Sequence, residues 1–112
     1  MRAEELKGHL DAVLLAALEG GPRHGYAVIE SLRQSTGGQL DLPTGTIYPA
    51  LRRLERAGMV HTRWSEEGGR QRRLYELTPA GRRMLDAERS AWQEFSADVT
   101  ALLGPQPRPV TT

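Results

Sequence analysis

Cysteine is absent from the 112 residues, so the chain carries no disulfide framework, thiolate metal site or thiol nucleophile. Its three histidines, His9, His24 and His61, stand far apart and lack the short spacing of a helical pair or a zinc motif, so no metal is expected. Paired carboxylates and a phosphate-cradling loop are missing too, which leaves an enzyme without parts and predicts no cofactor. No apolar run approaches the roughly 20 residues that cross a bilayer. The opening Met1-Arg2-Ala3-Glu4-Glu5 lacks the charged start and apolar stretch of a signal peptide, so no membrane association and a cytoplasmic location are expected. Lysine is nearly missing as well: Lys7 stands alone among arginines.

What is present suits a single domain, since 38% hydrophobic residues over this length make one compact core. The net charge of +1 conceals a segregation. Residues 44–83 hold nine arginines against four glutamates, a local excess of +5, whereas residues 1–43 and 84–112 each come to −2. That asymmetry fits an anion-binding face on a neutral body, or a solvated basic face.

Periodicity divides the chain into elements. Leu10, Val13, Leu14, Ala17 and Leu18 share one helix face before Gly20-Gly21-Pro22 supplies a stop. Tyr26, Ile29 and Leu32, with Val28 beside them, predict a second helix closed by Gly37-Gly38. A third follows Leu42-Pro43, with Thr44 as N-cap, a buried stripe of Ile47, Ala50, Leu51 and Leu54, and a stop at Gly58. Pro49 reads as near enough to its start for the missing N–H to cost little. Then the period shortens. Val60, Thr62 and Trp64 alternate with His61 and Arg63, and Tyr75 and Leu77 alternate with Leu74 and Glu76, predicting a β-hairpin with a flexible tip at Gly68-Gly69. Thr78-Pro79 starts a last helix, and Gly104-Pro105 ends it.

Short helices, a hairpin and a long final helix, in that order, predict a mainly α fold with a small β-hairpin, a winged helix-turn-helix with an appended helix. The expected division is a DNA-binding domain over 1–78, a dimerisation helix over 79–103 and a disordered tail over 104–112. In this architecture the third helix enters a major groove and the hairpin lies against neighbouring backbone. Burying Ile47, Ala50, Leu51 and Leu54 turns Gly45, Thr46, Pro49, Arg52, Arg53 and Arg56 outward, with Tyr48 at the edge of that face. Small residues at its N-terminal end let backbone N–H groups approach phosphate, and the arginines offer forked donors to guanine or phosphate.

The stretch Leu42-Pro43-Thr44-Gly45-Thr46-Ile47-Tyr48-Pro49-Ala50-Leu51-Arg52-Arg53-Leu54-Glu55-Arg56-Ala57-Gly58 resembles the recognition-helix signature of the PadR (phenolic acid decarboxylase regulator) family. His24-Gly25-Tyr26 resembles the family's motif opening the second helix, and Arg72-Arg73-Leu74-Tyr75-Glu76-Leu77-Thr78-Pro79-Ala80-Gly81 its wing strand and entry into the dimerisation helix. Thr44, Arg73 and Leu74 stand where the family often has Ser, Lys and a second Tyr. The resemblance implies a repressor that binds double-stranded DNA. Its DNA-contacting residues would be Thr44, Gly45, Thr46, Tyr48, Pro49, Arg52, Arg53 and Arg56 on the helix and Arg70, Arg72 and Arg73 on the wing. Two alternatives stay open for Tyr48, contact with the backbone of DNA or cover for the second-helix junction. Arg73 alternates with Tyr75 and Leu77, so its stem is expected to be partly covered while its head reaches out. A winged-helix protein-interaction module is the rival reading, and the retained Arg52, Arg53 and Arg56 argue against it.

On the last helix Leu85, Trp92, Phe95, Val99 and Leu102 recur at steps of seven, three, four and three, a seam that calls for a second copy of the chain. The resemblance implies the same homodimer. It also implies that Trp92 stacks on a small, flat aromatic effector in the dimer cavity, with interface packing as the alternative.

Overall fold

The structure, a computed structural model, describes residues 3–6 and 8–104. A short 3₁₀ turn over Ala3–Leu6 precedes α1 (Leu10–Ala17), α2 (Gly25–Ser35), α3 (Thr44–Arg56) and, at the end, α4 (Pro79–Leu103). Strands β1 (Arg23–His24), β2 (Val60–Glu67) and β3 (Arg70–Leu77) form an antiparallel sheet in the order β1-β3-β2. The expected hairpin is β2–β3. Gly68 and Gly69 close it with φ of 56° and 78°, the positive angles a two-residue type I′ turn requires. The register pairs Val60 with Leu77 and Trp64 with Arg73. The strand β1 went unread, because two residues show no alternation; Arg23 and His24 pair with Tyr75 and Leu74.

Apolar faces converge on one core. Leu14 and Leu15 from α1 and Leu18 just after it meet Val28, Ile29 and Leu32 from α2, the stripe Ile47, Ala50, Leu51 and Leu54 from α3, and Val60 and Tyr75 from the sheet. Tyr26 departs from its expected place in this set: it is 68% exposed, because packing Val28, Ile29 and Leu32 inward turns it to the far side of α2. Both α2 and α3 close with paired terminal bonds. In α3, Gly58 N–H donates to Glu55 at 3.0 Å and Met59 N–H to Leu54 at 3.0 Å, which satisfies the last carbonyls and stops the helix where the sheet begins.

Two details of α3 correct the sequence reading. Pro43, not Thr44, is the N-cap: its carbonyl accepts from Thr46 and Ile47 at 2.9 and 3.1 Å, and Thr44 is the first helical residue. Pro49 therefore lies in the second turn, past the N–H groups that lack helical partners anyway, and deprives the Gly45 carbonyl of its ladder bond.

The last helix starts as expected. Thr78 Oγ1 accepts from Gly81 N–H at 3.0 Å and donates to the Gly58 carbonyl at 2.6 Å, fastening α4 to the end of α3. Leu85 is buried at 3% exposure within its own subunit, against α1, so it is a core residue rather than part of an uncovered seam. Beyond it α4 projects, and the molecule measures 70 × 28 × 22 Å. No helix among the described residues is long and apolar enough to cross a membrane. Of the expected tail, residues 105–112 lie outside the described residues.

Candidate nucleic-acid interface

With its apolar stripe buried, α3 presents Thr44, Gly45, Pro49, Arg52 and Arg56 to solvent, and no acidic residue occupies its first turn. No carboxylate within that turn offsets the positive end of the helix. Its flanks are fastened to the rest of the head. On one side Arg53 is ion-paired with Asp11 of α1, both side chains about half exposed. On the other, Thr62 Oγ1 of β2 donates to Glu55 at 2.8 Å. Arg53 stands outward as expected, and its exposed guanidinium is also engaged by the Asp11 carboxylate where α3 adjoins α1. Thr46 and Tyr48 are half-buried.

The structure settles what Tyr48 covers. A Cβ on Gly25 would collide with the Tyr48 ring, so the glycine of His24-Gly25-Tyr26 is the seat on which this ring rests at the start of α2. Together with His24, Tyr26, Arg70, Arg72, Arg73 and Tyr75, the two residues line a cleft of about 380 Å³ between α2, α3 and the wing. Burial pushes the Tyr75 phenol above its usual value, while the positive charges of Arg73 and Arg52 oppose the rise. His24 Nε2 lies 3.4 Å from Glu67, which links the start of α2 to the wing.

Arg70, Arg72 and Arg73 are all exposed on β3. Arg52, Arg56, Arg70 and Arg72 form no salt bridge among the described residues, so their charge is not neutralised by a carboxylate partner. The Arg73 guanidinium lies over the Trp64 ring, 5.2 Å from its centroid. The sequence singles out neither Trp64, which stacks with Arg73, nor Asp11, which pairs with Arg53. Alternation placed Trp64 on a strand, but only the register shows that the core ends short of it; Asp11 carries no local signal, because its partner is 42 positions away.

On α4, Trp92, Phe95 and Leu102 are 56%, 60% and 85% exposed, and Val99 is half-buried. Trp92 meets His9 edge-on at 5.9 Å and Phe95 at 6.0 Å. Below it a groove of about 490 Å³ runs between α1 and α4, walled by Leu6, Val13, Ala16 and Leu85. No group of three or more His, Cys, Asp or Glu among the described residues is arranged to hold a metal ion.

Three packed helices, the third presenting its polar face to solvent, with an arginine-bearing hairpin beside it, define a winged helix-turn-helix fold. Residues 14–87 match the transcriptional regulator PadR-like family, and the chain belongs to it. The chain is similar to an uncharacterized 37.1 kDa transposon protein of Streptomyces fradiae, 42% identical over 78% of this chain and 24% of that protein. A transcriptional regulator of Mycobacterium tuberculosis is 38% identical over 69% of this chain and 59% of its own. This chain thus spans about a quarter of the first relative and under two thirds of the second. Among solved structures, a PadR family transcriptional regulator from Eggerthella lenta superposes with a TM-score of 0.77 at 30% identity, over 92% of this chain and 88% of that one.

Proposed function

We propose that the chain is a repressor that acts in the cytoplasm as a homodimer on a pseudo-palindromic operator, each subunit placing α3 in a major groove while the wing arginines hold adjoining backbone. In this reading residues 1–78 are the DNA-binding head and α4 joins the two copies. The observation that carries it is a run of exposed arginines, Arg52 and Arg56 on α3 and Arg70, Arg72 and Arg73 on the wing, the wing three lining a cleft against α2 and Tyr48 of α3. Forked guanidinium groups suit both guanine edges and phosphate oxygens, and the start of α3, where no side chain caps the N–H groups, suits phosphate. Thr44, Gly45 and Pro49 carry little bulk and let the helix approach, with Thr46 and Tyr48 at its margins. Arg53 shares its guanidinium with Asp11.

Support for the dimer comes from the far half of α4, where Trp92, Phe95, Val99 and Leu102 form an apolar edge that its own subunit leaves largely uncovered. A planar aromatic effector would stack on Trp92, whose indole stands at the mouth of the apolar α1–α4 groove. It would release DNA only by binding one spacing of the two heads better than another.

The test is titration of the purified chain with duplex DNA from upstream of its own reading frame at several salt concentrations. Repressor binding through several phosphates predicts affinity falling with a slope of about −0.9 in log–log form per phosphate contacted. Binding that ignores salt, or no binding, would overturn the reading. For the effector, Trp92 emission is followed in a Trp64→Phe chain and operator release in the unmodified chain; compounds that do neither leave Trp92 an interface residue.

A further inference from the structure

We infer that Trp64 and Arg73 act as one unit, a stacked plate that packs on the sugar-phosphate backbone of the operator beside the groove entered by α3. The inference rests on the DNA-binding reading above and adds a residue, Trp64, together with the reason for its place.

Strand alternation supplies the orientation. Thr62 faces α3, because its hydroxyl bonds Glu55 there, and Trp64 lies two residues further along the same face of β2. Across the hairpin Tyr75 is opposite Thr62 and Arg73 is opposite Trp64. Tyr75 is 4% exposed and closes the core, whereas Trp64, one step outward, is 62% exposed. The core does not need the indole, and the indole nonetheless points along the side of the wing that meets α3.

Its neighbours give the exposure a direction. The Arg73 guanidinium sits 5.2 Å from the indole centroid, which orders an otherwise flexible side chain. The Thr62–Glu55 bond brings this face of the wing against the flank of α3, so the helix and the stacked pair border the same angle. A duplex strand offers sugar and phosphate in alternation. The flat apolar face of an indole fits deoxyribose C–H groups, and the held guanidinium fits the next phosphate. Glu66, the next residue of β2 on this face, disfavours phosphate further out and confines the contact to the Trp64–Arg73 step.

The experiment uses the full chain and the duplex that the unmodified protein binds. Fluorotryptophan incorporated at both tryptophans gives separate fluorine resonances, the Trp64 signal being the one absent from a Trp64→Phe chain. Operator duplex is expected to shift the Trp64 resonance, saturating with the binding curve from labelled DNA. Trp64→Ala is expected to weaken binding roughly 5- to 30-fold while thermal stability and the dimer are retained, and Trp64→Phe, which keeps a plate, by less than about threefold. Arg73→Ala is expected to flatten the salt slope by about 2 per dimer, one phosphate from each subunit. Combined with Trp64→Ala it is expected to lose less than the two single losses together, since each change breaks the same unit. If the duplex binds but the Trp64 resonance stays put and Trp64→Ala binds as tightly as the parent, the inference is wrong and the DNA-binding reading stands. If no duplex binds at all, the underlying reading fails.

Discussion

Truncating Leu85 to alanine removes a side chain packed inside its own subunit, and the expected loss is about 2–5 kcal/mol in urea unfolding at fixed protein concentration. A loss under about 1 kcal/mol would place Leu85 back on a surface seam. Gly81 has a different constraint. A Cβ there would overlap the carbonyl oxygen of Met59, which already accepts from Thr78 N–H at 3.1 Å, and backbone cannot step aside as a side chain tip does. Gly81→Ala is therefore expected to destabilise by roughly 1–3 kcal/mol, and an unchanged urea midpoint would contradict that packing. Gly25→Ala should act at the site instead: the added methyl group displaces the Tyr48 ring, so the change in operator affinity should exceed the change in melting temperature.

The recognition element is bounded by its two fastenings, and these make Arg52 and Arg53 unequal. Arg52→Ala is expected to cost about 1–3 kcal/mol of operator binding and to relax preference at one base pair, if that guanidinium reads a base. Arg53→Ala is expected to cost less than Arg52→Ala, and Asp11→Asn to raise affinity and steepen the salt slope, because Arg53 then meets phosphate in place of Asp11. Equal losses at both arginines with no gain from Asp11→Asn would show that the pair does not hold Arg53 back. A second link joins the turn after α1 to α4: Arg89 donates twice to Glu19 at 2.9 Å, and this bonding holds the Glu19 carboxyl below its usual value of 4.5. Because the folded value is lowered, the link is at full strength above that usual value and is lost as pH falls through the lowered one. Replacing Glu19 by Gln should remove that part of the acid sensitivity in a pH series of melting curves. The four helices and the hairpin were legible because each has a period and a stop, Ile47/Ala50/Leu51/Leu54 before Gly58 being the clearest case. What was hidden depends on distant partners. Strand β1 exists only because β3 pairs with it, Asp11 reaches across 42 positions, and Leu85 fits the heptad steps of a seam yet lies over α1. The candidate DNA face was read from the stripe it opposes, whereas Trp64 required the register of the hairpin.

At the scale of the whole molecule, α4 projects from a packed head, and an exposed apolar edge such as that of its far half marks an interaction surface. Phe95→Asp is expected to convert a dimer into a folded monomer in light scattering, since Phe95 is 60% exposed and lies outside the core, and to weaken operator binding by removing one of two joined heads. A dimer that survives this charge would place the interface elsewhere. Two heads related by a two-fold axis also predict protected half-sites separated by one helical turn, about 10–10.5 base pairs, or a multiple of it. The most direct test of the account is the salt dependence of duplex binding in the parent, Arg52→Ala and Arg72→Ala chains on operator and on unrelated DNA. The expected result is a steep slope in the parent, lost preference for operator in Arg52→Ala, and uniform weakening on both DNAs in Arg72→Ala. A parent chain whose binding is flat in salt, or an Arg72→Ala chain that changes sequence preference while Arg52→Ala does not, would contradict it.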